Sequence, residues 1–323
     1  MDKSKYIEVL NKIKEYKRII IHGHVRPDGD CIGSQYGLYE ILRASFKEKE
    51  IYVTGEQSDY VSFIGAPNFI DDSLYEGALA ITVDTPTIER LSDKRIDKAS
   101  FVIKFDHHPV VEDFANISIV DEKRPACAEI IYDFYEALKD SLKITEKAAL
   151  ALYVGISTDT GRFKYASVDS HTFYVASRLT EIGVDLAYVD LNLSIETEDA
   201  MHLRGYCLSS FNKTKNGVAY LYLDKKIQEK YNVSYEEASN MVNTLSTIKG
   251  SPMWVLFIEK EDVIRVRLRS RGPIVNELAE KYEGGGHKLA SGTTLHSKND
   301  INSFLEEADK LIKDYKMQPN SSF

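Results

Sequence analysis

The chain has 323 residues, 43% hydrophobic and 28% charged, which is typical of a globular protein of about two domains. The formal net charge of −9 argues against a protein that coats long nucleic acid, because such proteins need an extended basic surface. The N-terminal sequence resembles no secretory signal, and the longest apolar stretch near the middle is shorter than the roughly 20 residues of a membrane helix. We therefore expect a cytoplasmic protein without a membrane partner and without a track for long nucleic acid.

Apolar strands alternate with helices in the first part of the chain. The predicted elements are a helix over Lys5–Glu15, a strand over Arg18–His22, a helix over Ser34–Ala44, strands over Ile51–Thr54, Leu79–Val83 and Phe101–Phe105, and helices over Ile144–Ser157 and Ser170–Leu179. This alternation is typical of an α/β domain, a parallel sheet with helices on both faces.

The pattern changes towards the C-terminus. Strands are predicted over Gly217–Leu223, Trp254–Ile258 and Ile264–Ser270, followed by a helix near Val275–Tyr282. We expect a smaller α+β domain there. The predicted boundaries are a catalytic domain over residues 1–190, a helical linker over 191–212 and a substrate-binding domain over 213–323.

Side chains that commonly bind metals follow three of the strands and one helix. They are His24, Asp28 and Asp30 after the first strand, Asp84 after the third, Asp106, His107 and His108 after the fourth, and Asp159 at a helix end. Since ligands bind at the carboxyl ends of parallel strands, we expect these groups to converge. Each alone has an ordinary explanation as a turn or a helix cap, and we expect Ser34 to cap the second helix. Together they indicate a metal site.

The mixture of imidazoles and carboxylates indicates which ions would bind. Nitrogen ligands favour Mn²⁺ or a similar transition ion such as Co²⁺ over Mg²⁺, which prefers oxygen and water. The number of ligands exceeds the needs of one ion and suits two ions about 3.5–4 Å apart that share a carboxylate. We therefore predict two divalent ions, with Mn²⁺ favoured and Co²⁺ or Mg²⁺ as alternatives.

Two further patterns occur in the second domain. Arginines alternate with other residues along the predicted strand, at Arg265, Arg267, Arg269 and Arg271. Period two places the four on one face, either as the charged protection of an edge strand or as a phosphate-binding surface. The run of glycines from Gly284 to Gly286, followed by His287, is explained either as a helix end or as a loop that lets backbone N–H groups approach a phosphate.

The ordered motifs resemble those of the DHH phosphoesterase family. The residues that carry the resemblance are His24-x-x-x-Asp28-Gly-Asp30, then Asp84, then Asp106-His107-His108, then Thr158-Asp159-Thr160-Gly161. In the second domain, Arg269-Ser270 and Gly284-Gly285-Gly286-His287 resemble the DHH-associated domain. The likeness covers nearly the whole chain and is greatest to the nano-RNase (oligoribonuclease) and pAp phosphatase branch, where pAp is 3′-phosphoadenosine 5′-phosphate.

The resemblance implies a role for each candidate residue. His24 and Asp28 would bind one ion, the set Asp30, His107 and Asp159 would bind the other, and Asp84 would bridge the two. His108 would contact the scissile phosphate, with Asp106 orienting the histidine pair. Substrate would be bound by Arg269, Ser270, Gly284, Gly285, Gly286 and His287.

The function implied is hydrolysis of short oligoribonucleotides to mononucleotides in the manner of a 3′–5′ exoribonuclease, together with removal of the 3′-phosphate of pAp. Three alternatives stay open: a phosphodiesterase for linear or cyclic dinucleotides such as pApA or cyclic di-AMP, a manganese pyrophosphatase, and a catalytically dead nucleotide sensor. The expected partners are short RNA or a small nucleotide. The sequence leaves open whether the chain forms a homodimer.

Overall fold

The computed structural model describes residues 3–317 and divides the chain into two units, with the boundary between Ile195 and Glu196. The residues expected to form a linker fall on both sides of that boundary. A helix over Leu186–Ser194 belongs to the first unit and a helix over Glu198–Ser210 to the second. None of the described helices is both long enough and apolar enough to cross a membrane.

The described residues of the first unit form a five-stranded parallel sheet with strand order β2-β1-β3-β4-β5. The strands are β1 (Arg18–His22), β2 (Glu50–Thr54), β3 (Leu79–Val83), β4 (Phe101–Asp106) and β5 (Ile117–Val120). The parallel sheet predicted from the sequence is confirmed, and β5 is an additional strand that the sequence analysis missed.

Helices cover both faces of this sheet, as predicted, but they differ in kind. The α-helices are α1 (Lys3–Glu15), α2 (Gly29–Ser45), α3 (Cys127–Ala137), α4 (Glu146–Asp159), α5 (Ser170–Ile182) and α6 (Leu186–Ser194). Ile19 and Ile21 face the core that these helices share, whereas Ile20 faces the opposite side. There it packs with Tyr75, in a layer built from loops and 3-10 helices such as Lys94–Lys98. Successive side chains of β1 thus point to opposite faces of the sheet, with the large helical core on one face and a thinner second layer on the other.

The second unit contains a six-stranded mixed sheet with strand order β10-β11-β9-β8-β7-β6. The strands are β6 (Asn212–Lys213), β7 (Val218–Leu223), β8 (Met253–Lys260), β9 (Val263–Ser270), β10 (Gly285–His287) and β11 (Ala290–Leu295). The helices are α7 (Glu198–Ser210), α8 (Lys225–Lys230), α9 (Tyr235–Asn240), α10 (Asn276–Glu280) and α11 (Asp300–Lys316). This is the smaller α+β domain that the sequence predicted.

The arginine-bearing strand β9 lies inside this sheet, between β8 and β11. The explanation of its arginines as protection of an edge strand is therefore wrong, because both of its sides are paired. Val266 and Leu268 point into the core with Phe304 of α11, so Arg265, Arg267 and Arg269 lie on the other face, as predicted. Arg271, the fourth predicted member, follows the end of the strand.

Candidate active site

Helix α2 starts earlier than predicted, and its start belongs to the site. Asp28 is the N-cap, because its Oδ1 accepts hydrogen bonds from the backbone N–H groups of Asp30 (3.1 Å) and Cys31 (3.0 Å). The prediction that Ser34 caps this helix is wrong: Ser34 lies within the first turns, where its hydroxyl donates to Asp30 Oδ1 at 3.3 Å. The sequence misled because two glycines near the helix start are typical of a turn.

Glycines bring the start of α2 against α4. A Cβ at Gly29 would lie 2.4 Å from Oγ1 of Thr158, and one at Gly33 would lie 2.5 Å from the carbonyl oxygen of Ala151. No other residue type allows so close an approach. The two helices therefore carry Asp30 and Asp159 to the same place.

The six predicted ligands, together with His108, form three overlapping groups in which one atom of each residue lies within 4.8 Å of the others in its group. The groups are His24, Asp28 and Asp84; Asp30, His107 and Asp159; and Asp84, His107 and His108. They occupy the carboxyl edge of the parallel sheet, where the topology predicts a site.

Asp84 lies at the centre of these groups. Its Oδ2 is 3.5 Å from His24 Nε2 and its Oδ1 is 3.3 Å from His107 Nε2. Its side chain is almost fully buried, and within residues 3–317 no group satisfies Oδ1 by a hydrogen bond. The backbone of Asp84 is in the left-handed region, at a φ of 54°, which costs free energy in a residue other than glycine. A buried carboxylate oxygen without a hydrogen bond fits a metal ligand.

Two backbone carbonyls orient the metal-facing imidazoles. His24 Nδ1 lies 2.9 Å from the carbonyl oxygen of Val25, and His107 Nδ1 lies 3.2 Å from that of Arg124. A carbonyl can only accept, so each Nδ1 carries the hydrogen and Nε2 is the nitrogen that can exchange a proton for a metal ion. His107 Nε2 lies 3.4 Å from Asp159 Oδ2.

Arg124 is a functional residue that the sequence analysis missed. Its guanidinium pairs with Glu129 (3.2 Å) and Asp133 (3.0 Å), and these pairs anchor the segment whose carbonyl holds His107. A hydrogen bond between a side chain and a backbone carbonyl 17 positions away leaves no pattern in the sequence that could have revealed it.

The electrostatics of the site call for a cation. Burial, followed by the carboxylates of Asp84 and Asp159, raises the pKa of Asp30 well above its usual range. Burial also raises the pKa of Asp159 to about 7. The pKa of His107 is lowered by burial, but the neighbouring carboxylates of Asp84 and Asp30 outweigh that effect and raise it to about 10. The raised pKa values mean that these side chains bind protons to offset the negative charge of the buried carboxylates. A bound divalent ion would offset the same charge.

His108 differs from His107 in its hydrogen bond. Its Nδ1 lies 2.8 Å from Oδ1 of Asp106, which also accepts from the backbone N–H of His108 at 3.2 Å. The His108 side chain is 30% exposed, compared with 16% for His107. Asp106 is thus placed to orient His108, whereas no described contact joins it to the ring of His107. The buried Lys104, also missed, approaches the other oxygen of Asp106.

The predicted substrate residues of the second unit are only partly brought together. Register across the sheet aligns His287 with Ala290, Ala290 with Arg269, and Arg269 with Trp254, so their side chains share a face. Ser270 points the opposite way, and its buried hydroxyl donates to the carbonyl of Pro273. The structure therefore does not join Ser270 to Arg269.

The glycine run was predicted to form a loop. In the structure it leads instead into strand β10, which forms a hairpin with β11. A Cβ at Gly284 would lie 2.3 Å from the carbonyl oxygen of Gly292, and one at Gly286, whose φ is 137°, would lie 2.7 Å from that of Ala290. A Cβ at Gly285 would meet nothing within 4 Å. The hairpin thus explains two of the three glycines and leaves Gly285 without a packing requirement.

Comparison with known proteins agrees with this geometry. Residues 18–156 match the N-terminal domain of the DHH family, and residues 215–314 match the DHHA1 domain. The bifunctional oligoribonuclease and PAP phosphatase NrnA of Bacillus subtilis is 37% identical over 310 residues, which cover 95% of this chain and 99% of that protein. The probable bifunctional oligoribonuclease and PAP phosphatase NrnA of Streptococcus mutans is 39% identical over 306 residues, covering 94% and 98%.

A solved structure shares the whole fold. The crystal structure of an exopolyphosphatase-related protein from Bacteroides fragilis aligns with a TM-score of 0.85 at 25% identity, covering 98% of this chain and 97% of that one. The resemblance predicted from the four ordered motifs is confirmed by relatives that match over nearly their full length. The chain belongs to the DHH family and carries its DHHA1 domain.

Proposed function

We propose that the chain is a metal-dependent phosphoesterase that hydrolyses short oligoribonucleotides to mononucleotides and removes the 3′-phosphate of pAp. The observation that carries the proposal is the set of ligand groups that overlap at Asp84 and His107. The nucleotide substrates are supported by the two relatives, whose names give both activities.

The ligand groups support two metal positions. His24, Asp28 and Asp84 would hold one ion, and Asp30, His107 and Asp159 would hold the other, with Asp84 shared. Mixed nitrogen and oxygen donors favour Mn²⁺, with Co²⁺ and Mg²⁺ as alternatives. When bound, two such ions polarise a phosphate ester and neutralise the charge that develops on it.

His108 would act on the substrate rather than on the metals. Its Nδ1 is committed to Asp106, so its Nε2 is the nitrogen left to meet an oxygen of the scissile phosphate. The pKa of Asp106 is lowered: burial opposes this shift, but the hydrogen bond and charge of His108 and the charge of Lys104 outweigh it. An ionised Asp106 is the partner that holds the ring in one orientation.

The DHHA1 domain would bind the nucleotide. Arg269 and His287 lie on one face of its sheet, where a guanidinium can bind phosphate by two hydrogen bonds. Gly285, which the hairpin does not require, would let the backbone approach the ligand. A chain with a net charge of −9 offers little to attract the remainder of a long strand, so short substrates are favoured.

A substrate panel tests the proposal. The purified chain with Mn²⁺ should cleave pAp and RNA of two to five nucleotides much faster than RNA of 24 nucleotides, cyclic di-AMP or pyrophosphate. Asp84→Asn should abolish activity, since a neutral amide replaces the shared carboxylate, whereas the exposed Asp262→Asn should not. Hydrolysis of pyrophosphate alone would overturn the substrate assignment, and full activity in Asp84→Asn would overturn the metal site.

A further inference from the structure

A lysine is buried within the sheet beneath the site. Lys104 lies in β4, and its side chain is 1% exposed. It belongs to a row of polar residues that runs in register across all five strands, comprising Thr54, His22, Thr82, Lys104 and Ser118. Burying an ammonium group is costly unless it is paired, so its partners indicate its role.

One carboxylate balances this charge. Lys104 Nζ lies 3.1 Å from Asp106 Oδ2 and donates to the carbonyl oxygen of Pro86 at 3.1 Å, and it lies 5.0 Å from the ring centre of Phe114. Asp106 is completely buried and is the one acidic side chain within ion-pair distance of Lys104 among residues 3–317. The ammonium of Lys104 and the carboxylate of Asp106 therefore form an ion pair inside the protein.

The two oxygens of Asp106 have different partners. Oδ2 has no hydrogen bond among the described residues and is held by the charge of Lys104, while Oδ1 accepts from the ring and the backbone of His108 at 2.8 and 3.2 Å. Fixing Oδ2 fixes the rotation of the carboxylate, and thus the direction in which Oδ1 meets the imidazole. Lys104, Asp106 and His108 therefore form a chain of contacts from the interior of the sheet to the partly exposed imidazole of His108.

We propose that Lys104 is a positioning residue for the phosphoesterase reaction, which holds His108 in its working orientation and tautomer through Asp106. The inference rests on the proposed function, because that function defines the task of His108. A neutral residue at position 104 leaves the buried carboxylate of Asp106 without its charge partner. The carboxylate can then rotate, so that Oδ1 no longer meets the Nδ1 hydrogen of His108 from one fixed direction.

Kinetics of Lys104→Met, a neutral side chain of similar length, provide the first test. We expect kcat on a dinucleotide to fall by about 10–100-fold, the usual effect of removing such an indirect contact, with KM and metal content unchanged. Thr82→Val changes the neighbouring buried residue of the same row and should retain kcat. An unchanged kcat in Lys104→Met, or a comparable loss in Thr82→Val, would overturn the proposal.

A double-mutant cycle separates positioning from a general structural role. If Lys104 acts through His108, then Lys104→Met should cause less than about a twofold further loss in the His108→Ala background. Equal losses in both backgrounds would show that Lys104 acts elsewhere. Should the single variant not fold, Lys104→Met with Asp106→Asn removes both buried charges. That double variant should match Asp106→Asn in kcat, and a further tenfold loss would overturn the proposal.

The ring nitrogens of His108 give a readout that needs no substrate. In Mg²⁺-loaded protein labelled with ¹⁵N-histidine, the wild type should show a single His108 tautomer with the hydrogen on Nδ1, and Lys104→Met should show a mixture. An unchanged tautomer in the variant would refute the positioning role. If the tautomer changes but no nucleotide is hydrolysed by the wild type, the proposed function fails while the positioning of His108 stands.

Discussion

The contact between α2 and α4 makes Gly33→Ala a sharp test of how the fold builds the site. A Cβ at Gly33 would lie 2.5 Å from the carbonyl oxygen of Ala151 and 2.8 Å from the N and Cα atoms of Gly155. All three neighbours are backbone atoms, so they cannot rotate away as a side chain would. To reach an ordinary contact of 3.4 Å the helices must separate by about 0.9 Å.

The expected loss of stability follows from two opposing effects. Overpacking a core costs about 1–3 kcal/mol, and rigid backbone neighbours place this site near 3 kcal/mol. Alanine gains about 1 kcal/mol over glycine as a helix former. The net change is about 2 kcal/mol of destabilisation, which corresponds to a Tm lower by about 4–8 °C for a unit of this size.

The measurement is thermal unfolding followed by far-UV circular dichroism, because the single tryptophan, Trp254, reports on the other unit. Gly205→Ala is the matched control, since a Cβ at this exposed position in α7 meets nothing within 4 Å. It should stabilise the chain by up to about 1 kcal/mol. A Tm of Gly33→Ala at or above that of the wild type would refute the packing argument.

Three further predictions concern the site and its surroundings. His107→Ala should lower metal content measured by elemental analysis, while His108→Ala should keep the metals and lose about 10²–10⁴-fold in kcat; the reverse result would exchange their roles. Arg269→Ala should raise KM for a dinucleotide more than for bis-p-nitrophenyl phosphate, and equal effects would remove it from substrate binding. Burial raises the pKa of Glu129 to about 7, above its usual value, so the folded state holds the proton more tightly and wild-type stability should fall between about pH 5 and 7. The Tm of Glu129→Gln should increase relative to that of the wild type as the pH rises through that range. A difference in Tm between the two proteins that does not change with pH would refute the raised pKa of Glu129.

Strands β1 to β4 could be predicted because each is a short apolar run that ends at, or just before, a polar residue, whereas β5 was missed. β3, for example, is observed at the predicted bounds, Leu79–Val83, and Asp84 follows it directly. Asp84 could be predicted as part of the site because it follows the end of a strand, and parallel topology brings such strand ends together.

The start of α2 could not be predicted from local preference. Gly29 and Gly33 are poor helix formers, and their presence is explained only by close packing against α4, which has no local signature. The support behind the histidines was missed for a related reason. Arg124 contacts His107 through its backbone carbonyl, which the identity of its side chain does not reveal. Lys104 is a single charged residue in an apolar strand, and only its contact with Asp106 in the structure indicates a role.

The left-handed backbone at Asp84 places a residue that the reaction needs at a position where it lowers the stability of the fold. Asparagine tolerates that conformation better than most residues and brings no charge into a crowded group of acids, so Asp84→Asn should fold at least as firmly as the wild type. An inactive but robust variant of this kind would suit the capture of intact substrate complexes. In a lineage that no longer needed the reaction, we would expect position 84 to be among the first to drift.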